Sequence, residues 1–181
     1  MKQQSSITSI VLIALFAALT MLATMIKIPM PGAFVHLGNS VSLLAVLLIG
    51  YKRGALAGGL GFAIFDLLNG YALEAPYFLV ESFIVGGAAA LMIYFFQHKI
   101  DSARKILIVT IVAGIVKIIM TQLKNTTIAV LAGSNFSIAF MAAFSKLPAT
   151  LINVATTIVI VSLVYFPLKK ALERTFSRNS I

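Results

Sequence analysis

The chain has 181 residues, of which 60% are hydrophobic and only 10% charged, with a mean hydropathy of +1.04. A soluble domain carries roughly a quarter of its residues as charges, so the balance excludes one and points to a single transmembrane domain over residues 1–181. In that setting the net charge of +9 fits basic cytoplasmic loops rather than nucleic-acid binding, and the absence of cysteine excludes disulfides and thiolate metal sites.

The first predicted span, Ser9 to Ile26, follows a basic start but is too long for a signal-peptide core, so it reads as a retained helix. Ala14 and Ala18 share one of its faces, a spacing of small residues that lets another helix approach closely. Lys27 to Asn39 carries two prolines and two glycines, which forbid a continuous helix. It is nevertheless too apolar for an ordinary loop, and reads as an ordered lid folded over the bundle.

The second span, Asn39 to Gly50, is short against the roughly 20 residues of a full crossing, and either starts within the preceding loop or is shielded by its neighbours. The third, Gly54 to Asn69, opens on Gly54, Gly58 and Gly61, a face for close packing. The fourth is Tyr77 to Phe96 and the fifth Ile106 to Leu123, followed by a second long loop from Lys124 to Ser137. The sixth, Ile138 to Phe166, is long enough to tilt or emerge, and Pro148 is placed to kink it. Leu168 to Ile181 reads as a short amphipathic or frayed tail.

The expected fold is therefore an all-α membrane protein of six transmembrane helices with both termini on one side. Ten cationic residues fall on the side of the termini (Lys2, Lys52, Arg53, Lys99, Arg104, Lys105, Lys169, Lys170, Arg174 and Arg178). Four lie on or near the other: Lys27, Lys117, Lys124 and Lys146. The positive-inside rule puts both termini in the cytoplasm and the two semi-apolar loops outside.

Glu81, inside the fourth span, is the most informative residue, because a carboxylate in hydrocarbon is costly and normally faces protein, water or a ligand. Lys117, Lys146 and Asn153 sit at a similar outer depth in the fifth and sixth spans. His36 and Asn39 lie on the lid or at the head of the second span, while Phe34, Tyr77, Phe78, Phe140 and Phe144 could wall a pocket. Converging, they would bind a small polar ligand in a mostly apolar site.

Each residue has a structural alternative. Glu81 and Lys117 could simply pair, and Lys117 or Lys146 could snorkel to headgroups. Asn153 could bond a backbone carbonyl, His36 could hold loop backbone, and the aromatic residues could pack. Asp66 and Glu74, near the interface, read as solvated or as loop anchors. No P-loop, HExxH or GxSxG motif is present. His36 and His98 fall on opposite sides of the membrane, so no metal or other cofactor is expected.

The pattern resembles the substrate-binding S components of energy-coupling factor (ECF) vitamin transporters. The resemblance spans nearly the whole chain and rests on Ala14 and Ala18 in the first span, the loop running into His36-Leu-Gly-Asn39, and the turn Leu48-Ile-Gly-Tyr-Lys-Arg-Gly-Ala-Leu-Ala-Gly-Gly59. It implies a multi-pass subunit of a prokaryotic plasma membrane that binds a vitamin or precursor near the outer surface. It also implies docking through Ala14 and Ala18 on a transmembrane T subunit, which works with two ATPases, in a complex surrounded by membrane lipid.

The chain looks most like the branch assigned to hydroxymethylpyrimidine or pyridoxine-like B6 vitamers, with riboflavin as the alternative ligand. The substrate-site expectation is Glu81, Lys117, Asn153, Lys146, His36, Asn39, Phe34 and Tyr77. A membrane scaffold without ligand is the alternative of another class. It would explain the alanine face, but not a buried Glu81 and Lys117.

Overall fold

The computed structural model of the chain describes residues 6–30 and 33–178. The basic start at Lys2, the Pro31–Gly32 part of the expected lid and the last residues of the tail lie outside the described residues. Helix α1 (Ser6–Met25) leads into strands β1 (Lys27–Met30) and β2 (Ala33–His36). Helices α2 (Gly38–Ile49), α3 (Tyr51–Leu68), α4 (Ala75–Phe95) and α5 (Ala103–Leu131) follow. The short α6 (Phe136–Ala143), a 3-10 turn (Phe144–Lys146) and α7 (Leu147–Arg178) complete the described chain.

Among the described residues, four segments are long and apolar enough to cross a membrane, namely Ile7–Met25, Ala75–Phe95, Ala103–Leu131 and Phe136–Arg174. The outer surface is correspondingly apolar, with Ile7, Ile84, Leu91, Ile115 and Leu163 all exposed. A contiguous apolar surface of this extent belongs against lipid.

The shorter α2 is central and packs on α1, α3, α4 and α7. Leu43, Leu44, Ala45 and Val46 are all buried in that position. The glycines of α3 make the close approach: a Cβ at Gly54 would stand 2.3 Å from the Val46 backbone, and one at Gly61 2.6 Å from the Ala17 carbonyl oxygen. The small-residue face predicted for the third span therefore meets α2 and α1.

The structure corrects three expectations. First, the lid is not purely irregular. Lys27 pairs with His36 and Ile28 with Val35 in an antiparallel hairpin, so the described fold is helical with one small sheet. Prolines and glycines exclude helix from this segment, and the Asn153 amide supplies partners for the backbone of β2.

Second, most of the predicted second loop is helix. The α5 helix continues to Leu131, and Asn125 and Thr126 are buried. Third, the predicted sixth span is divided: α6 and the 3-10 turn precede α7, which then runs on through the expected tail to Arg178. Pro148 sits in the first turn of α7, where its missing N–H leaves no helical bond unmade, while Pro167 is the proline inside the helix.

The bundle has two unlike ends. The end formed by the start of α3, the close of α4 and the start of α5 is filled by Leu44, Val46, Ala55, Ala89, Ile106, Val109 and Val161. At the opposite end the helices enclose a cavity beside the hairpin.

Candidate functional site

The cavity has a volume of about 430 Å³. Most elements at that end supply part of its wall: Thr24 from α1, Phe34 and His36 from the hairpin, Asn39 from α2, Phe62 and Asp66 from α3, Phe78 and Glu81 from α4, Lys117 and Lys124 from α5, Lys146 from the 3-10 turn and Asn153 from α7. Three of the protein's five acidic residues, Asp66, Glu74 and Glu81, meet here.

Glu81 is only 2% exposed. Its Oε2 accepts a hydrogen bond from Lys117 Nζ at 2.5 Å, and its Oε1 lies 2.7 Å from the Tyr77 hydroxyl. That hydroxyl is also 2.8 Å from the Met120 carbonyl oxygen. A phenol has one proton to donate, so it serves these two acceptors in turn or shares the proton between them. Tyr77 does not line the cavity and orients Glu81 from behind. Lys117 Nζ also stands over the rings of Phe78, at 5.3 Å, and Phe62, at 5.9 Å.

A second ion pair, Lys124 with Glu74, joins α5 to the head of α4. Lys124 lies over the Phe78 ring at 4.7 Å, so Phe78 has an ammonium group near it from each of two lysines. Lys146 Nζ donates to Asn125 Oδ1 at 3.0 Å. Asn125 is held in turn by its Nδ2, which donates to the Thr121 carbonyl at 2.9 Å. Lys117 and Lys146 thus both point into the protein and neither reaches outward to headgroups.

The hairpin is fastened by Asn153, which is 6% exposed. Its Oδ1 accepts from the His36 backbone N–H at 2.8 Å, and its Nδ2 donates to the Phe34 carbonyl at 2.9 Å. His36 Nδ1 accepts from the Gly38 N–H at 3.2 Å, and the imidazole meets Phe62 edge-on with centroids 6.0 Å apart. Burial, with smaller contributions from the positive charges of Lys117 and Lys27, lowers the His36 pKa to about 4. His36 is therefore neutral near pH 7 and able to accept that bond.

Of the residues expected in the site, Glu81, Lys117, Asn153, Lys146, His36, Asn39 and Phe34 line the cavity, while Tyr77 stands one layer back. Phe78 also lines it, but Phe140 and Phe144 are exposed on the other side of the 3-10 turn and pack on each other at 5.3 Å.

Sequence reading missed Lys27, Lys124, Asn125, Phe62 and Phe65, and took Asp66 and Glu74 for solvated residues or loop anchors, whereas all of these line the cavity. Asp66 is 5% exposed and its Oδ2 has no hydrogen-bond partner among the described residues. The available signal was the scarcity of acids: in so apolar a chain, three carboxylates within sixteen positions, Asp66 to Glu81, are already a cluster.

Beyond the Glu81–Lys117 pair lies a smaller cavity of about 40 Å³. Ser42, Ser82 and Thr157 line it, and it shares Asn39, Phe62, Glu81 and Lys117 with the larger one. The ion pair therefore forms part of the partition between the two. Among the described residues, no cluster of three or more His, Cys, Asp or Glu is arranged to hold a metal ion.

Ala14 and Ala18 are both exposed on α1, beside exposed Val11 and Leu22. They face away from the bundle and are free to meet another helix.

Residues 4–172 match the family model described as ECF-type riboflavin transporter, S component. A solved structure of the S component of a bacterial ECF transporter superposes with a TM-score of 0.66 at 20% identity, covering 93% of this chain and 99% of the other. A Pyrococcus woesei protein, described as an uncharacterized protein in the gap 3′ region, is 26% identical over 104 residues, spanning 56% of this chain and 67% of its own length.

Proposed function

The chain belongs to the family of ECF-type riboflavin transporter S components, and from that premise we propose that its cavity captures a small vitamin or vitamin precursor outside the cell and delivers it inside. The family is one of substrate-binding transporter subunits rather than enzymes. The topology proposed with this function has six spans, with α2 and α3 added to the four long apolar segments, and both termini in the cytoplasm. The hairpin then lies on the outer side as a lid.

The observation that carries the reading is the cavity itself. Its volume, about 430 Å³, falls within the range of roughly 300–1,000 Å³ typical of small-molecule sites. Its wall combines aromatic faces with a few fixed polar groups. Phe34, Phe62 and Phe65 would stack on a flat heterocycle, while Lys117, Glu81, Lys146 and Asp66 would bond its substituents. His36, Asn39 and Asn153 would shape the lid side. Energy would come from two partner ATPases through a T subunit that packs on Ala14 and Ala18.

The favoured ligand is a single-ring, hydroxymethyl-bearing heterocycle such as hydroxymethylpyrimidine or pyridoxine. Riboflavin is the second reading, favoured by the description of the matching family. Calorimetric titration of the purified chain with hydroxymethylpyrimidine, pyridoxine, pyridoxal, thiamine and riboflavin tests both. Saturable one-to-one binding of one of them, weakened by Glu81→Gln or Lys117→Met, is expected. Folded protein that binds none would overturn the vitamin reading and favour a scaffold without ligand.

A further inference from the structure

The cavity does not balance its own charge. Four lysines line it, Lys27, Lys117, Lys124 and Lys146, against three carboxylates, Asp66, Glu74 and Glu81. His36 adds no charge near neutral pH, since burial keeps it neutral. At least one cation is therefore left over, whatever the state of each carboxyl.

Outside the cavity's two ion pairs stand Lys27, Lys146 and Asp66, two cations against one carboxyl. Lys117 has Glu81 and Lys124 has Glu74. Among the described residues, no carboxylate lies within ion-pair distance of Lys27 or Lys146. Lys146 has one neutral acceptor, Asn125 Oδ1, for a group that carries three N–H donors. Lys27 faces aromatic rings instead, with Nζ 4.8 Å from the centre of Phe34 and 5.0 Å from that of Phe65. Both are partly buried in the wall.

Cations with spare donors in partly buried surroundings are poorly compensated, and an anion supplied from outside restores the balance. Structural pairing explains Lys117 and Lys124 but not Lys27 and Lys146. Snorkelling does not explain them either, because both line the cavity.

We infer that the ligand carries an acidic substituent, a carboxylate or a phosphate, attached to its ring system and neutralised by Lys27 and Lys146. The inference rests on reading the cavity as a vitamin site. It ranks relatives of these heterocycles that bear an acidic group above the neutral compounds, which still bind but more weakly. It also gives the aromatic faces of Phe34 and Phe65 a second use: an acidic group that draws Lys27 away would free those faces to stack on the ring.

Matched pairs of probes test this on the purified full chain. The phosphate arm compares pyridoxine with pyridoxine 5′-phosphate and riboflavin with riboflavin 5′-phosphate. The carboxylate arm compares pyridoxal with 4-pyridoxate and nicotinamide with nicotinate. In at least one pair the acidic member should bind tenfold or more tighter, with the preference shrinking as salt is raised. Lys146→Met or Lys27→Met should weaken the acidic member at least fivefold more than the neutral one, removing most of the preference. Lys146→Arg, which keeps the charge, should retain the preference and so controls for folding.

Neutral members binding as tightly as their acidic partners would overturn the inference and leave the vitamin reading intact. A Lys→Met loss equal for both members of a pair would also overturn it. Failure of every probe to bind folded protein would instead remove the vitamin reading, and this inference with it.

Discussion

Asn153 holds the backbone of His36 as a neighbouring strand would, accepting from its N–H at 2.8 Å while donating to the Phe34 carbonyl at 2.9 Å. One side-chain amide thereby satisfies the exposed edge of β2 and ties the hairpin to α7. These are the groups an edge strand otherwise leaves open.

Asn153→Leu should free the hairpin without emptying the cavity. Two hydrogen bonds are lost and the β2 backbone groups are left partly unsatisfied, a cost of about 1–3 kcal/mol. Ligand affinity should fall by one to two orders of magnitude, mostly through faster dissociation. Amide exchange of Ile28, Val35 and His36 should accelerate while that of α3 and α4 stays unchanged. Unaltered exchange in the hairpin would show that Asn153 is not its fastening.

The Glu81–Lys117 pair should behave as a unit. Removing one partner strands a charge, and such losses run to about 3–5 kcal/mol for buried pairs. Glu81→Gln and Lys117→Met alone should each lower the melting temperature in detergent. The double variant should be more stable than the sum of the two losses implies. Additive losses would mean that the two side chains do not depend on one another.

Acid should loosen the hairpin. The His36 pKa is lowered to about 4 by burial first, then by Lys117 and Lys27. An exposed histidine titrates near 6.5, so between about pH 6.5 and pH 4 the open state binds more protons than the closed one. Closure should be unaffected above about pH 6.5 and lose ground steadily as the pH falls toward 4. Protonation also removes the acceptor that His36 Nδ1 offers to the Gly38 N–H. His36→Asn, whose side-chain oxygen can take over that bond, should flatten the profile of hairpin exchange against pH. A profile equally steep in the variant would assign the pH effect to another group.

Bulky residues at Ala14 and Ala18 should separate binding from transport. Both positions are exposed on α1 and neither lines the cavity. Ala14→Leu/Ala18→Leu should bind ligand as the parent does, yet lose uptake in cells that supply the T subunit and ATPases. Uptake at the parental rate would place the docking surface elsewhere.

What could be read in the sequence follows from contrast. Glu81 and Lys117 stand out because ionisable groups within long apolar runs are rare. Gly54 and Gly61 stand out because their spacing has few other uses in a membrane helix. Asp66, Glu74 and Lys124 were harder to place. Asp66 and Glu74 lie near helix ends and Lys124 next to the predicted end of the fifth span, where a solvated residue and a cavity residue have the same local sequence.

The extension of α5 beyond Leu123 was missed because Asn125, Thr126 and Thr127 are weak helix formers. Tertiary partners outweigh that preference, since Asn125 bonds Lys146 and Lys124 pairs with Glu74. The hairpin could be excluded from helix but not paired, because the Asn153 that completes it lies 117 positions from His36.

In the proposed topology the brevity of α2 would set the thickness of the permeability barrier. Its 12 residues rise about 18 Å, against a hydrocarbon layer of about 30 Å. The cavity begins at its first turn, where Asn39 lines the wall. In the proposed topology a ligand resting there would already have descended a large part of the membrane's depth, and the packed residues around Leu44 and Ala55 would be what holds back leakage.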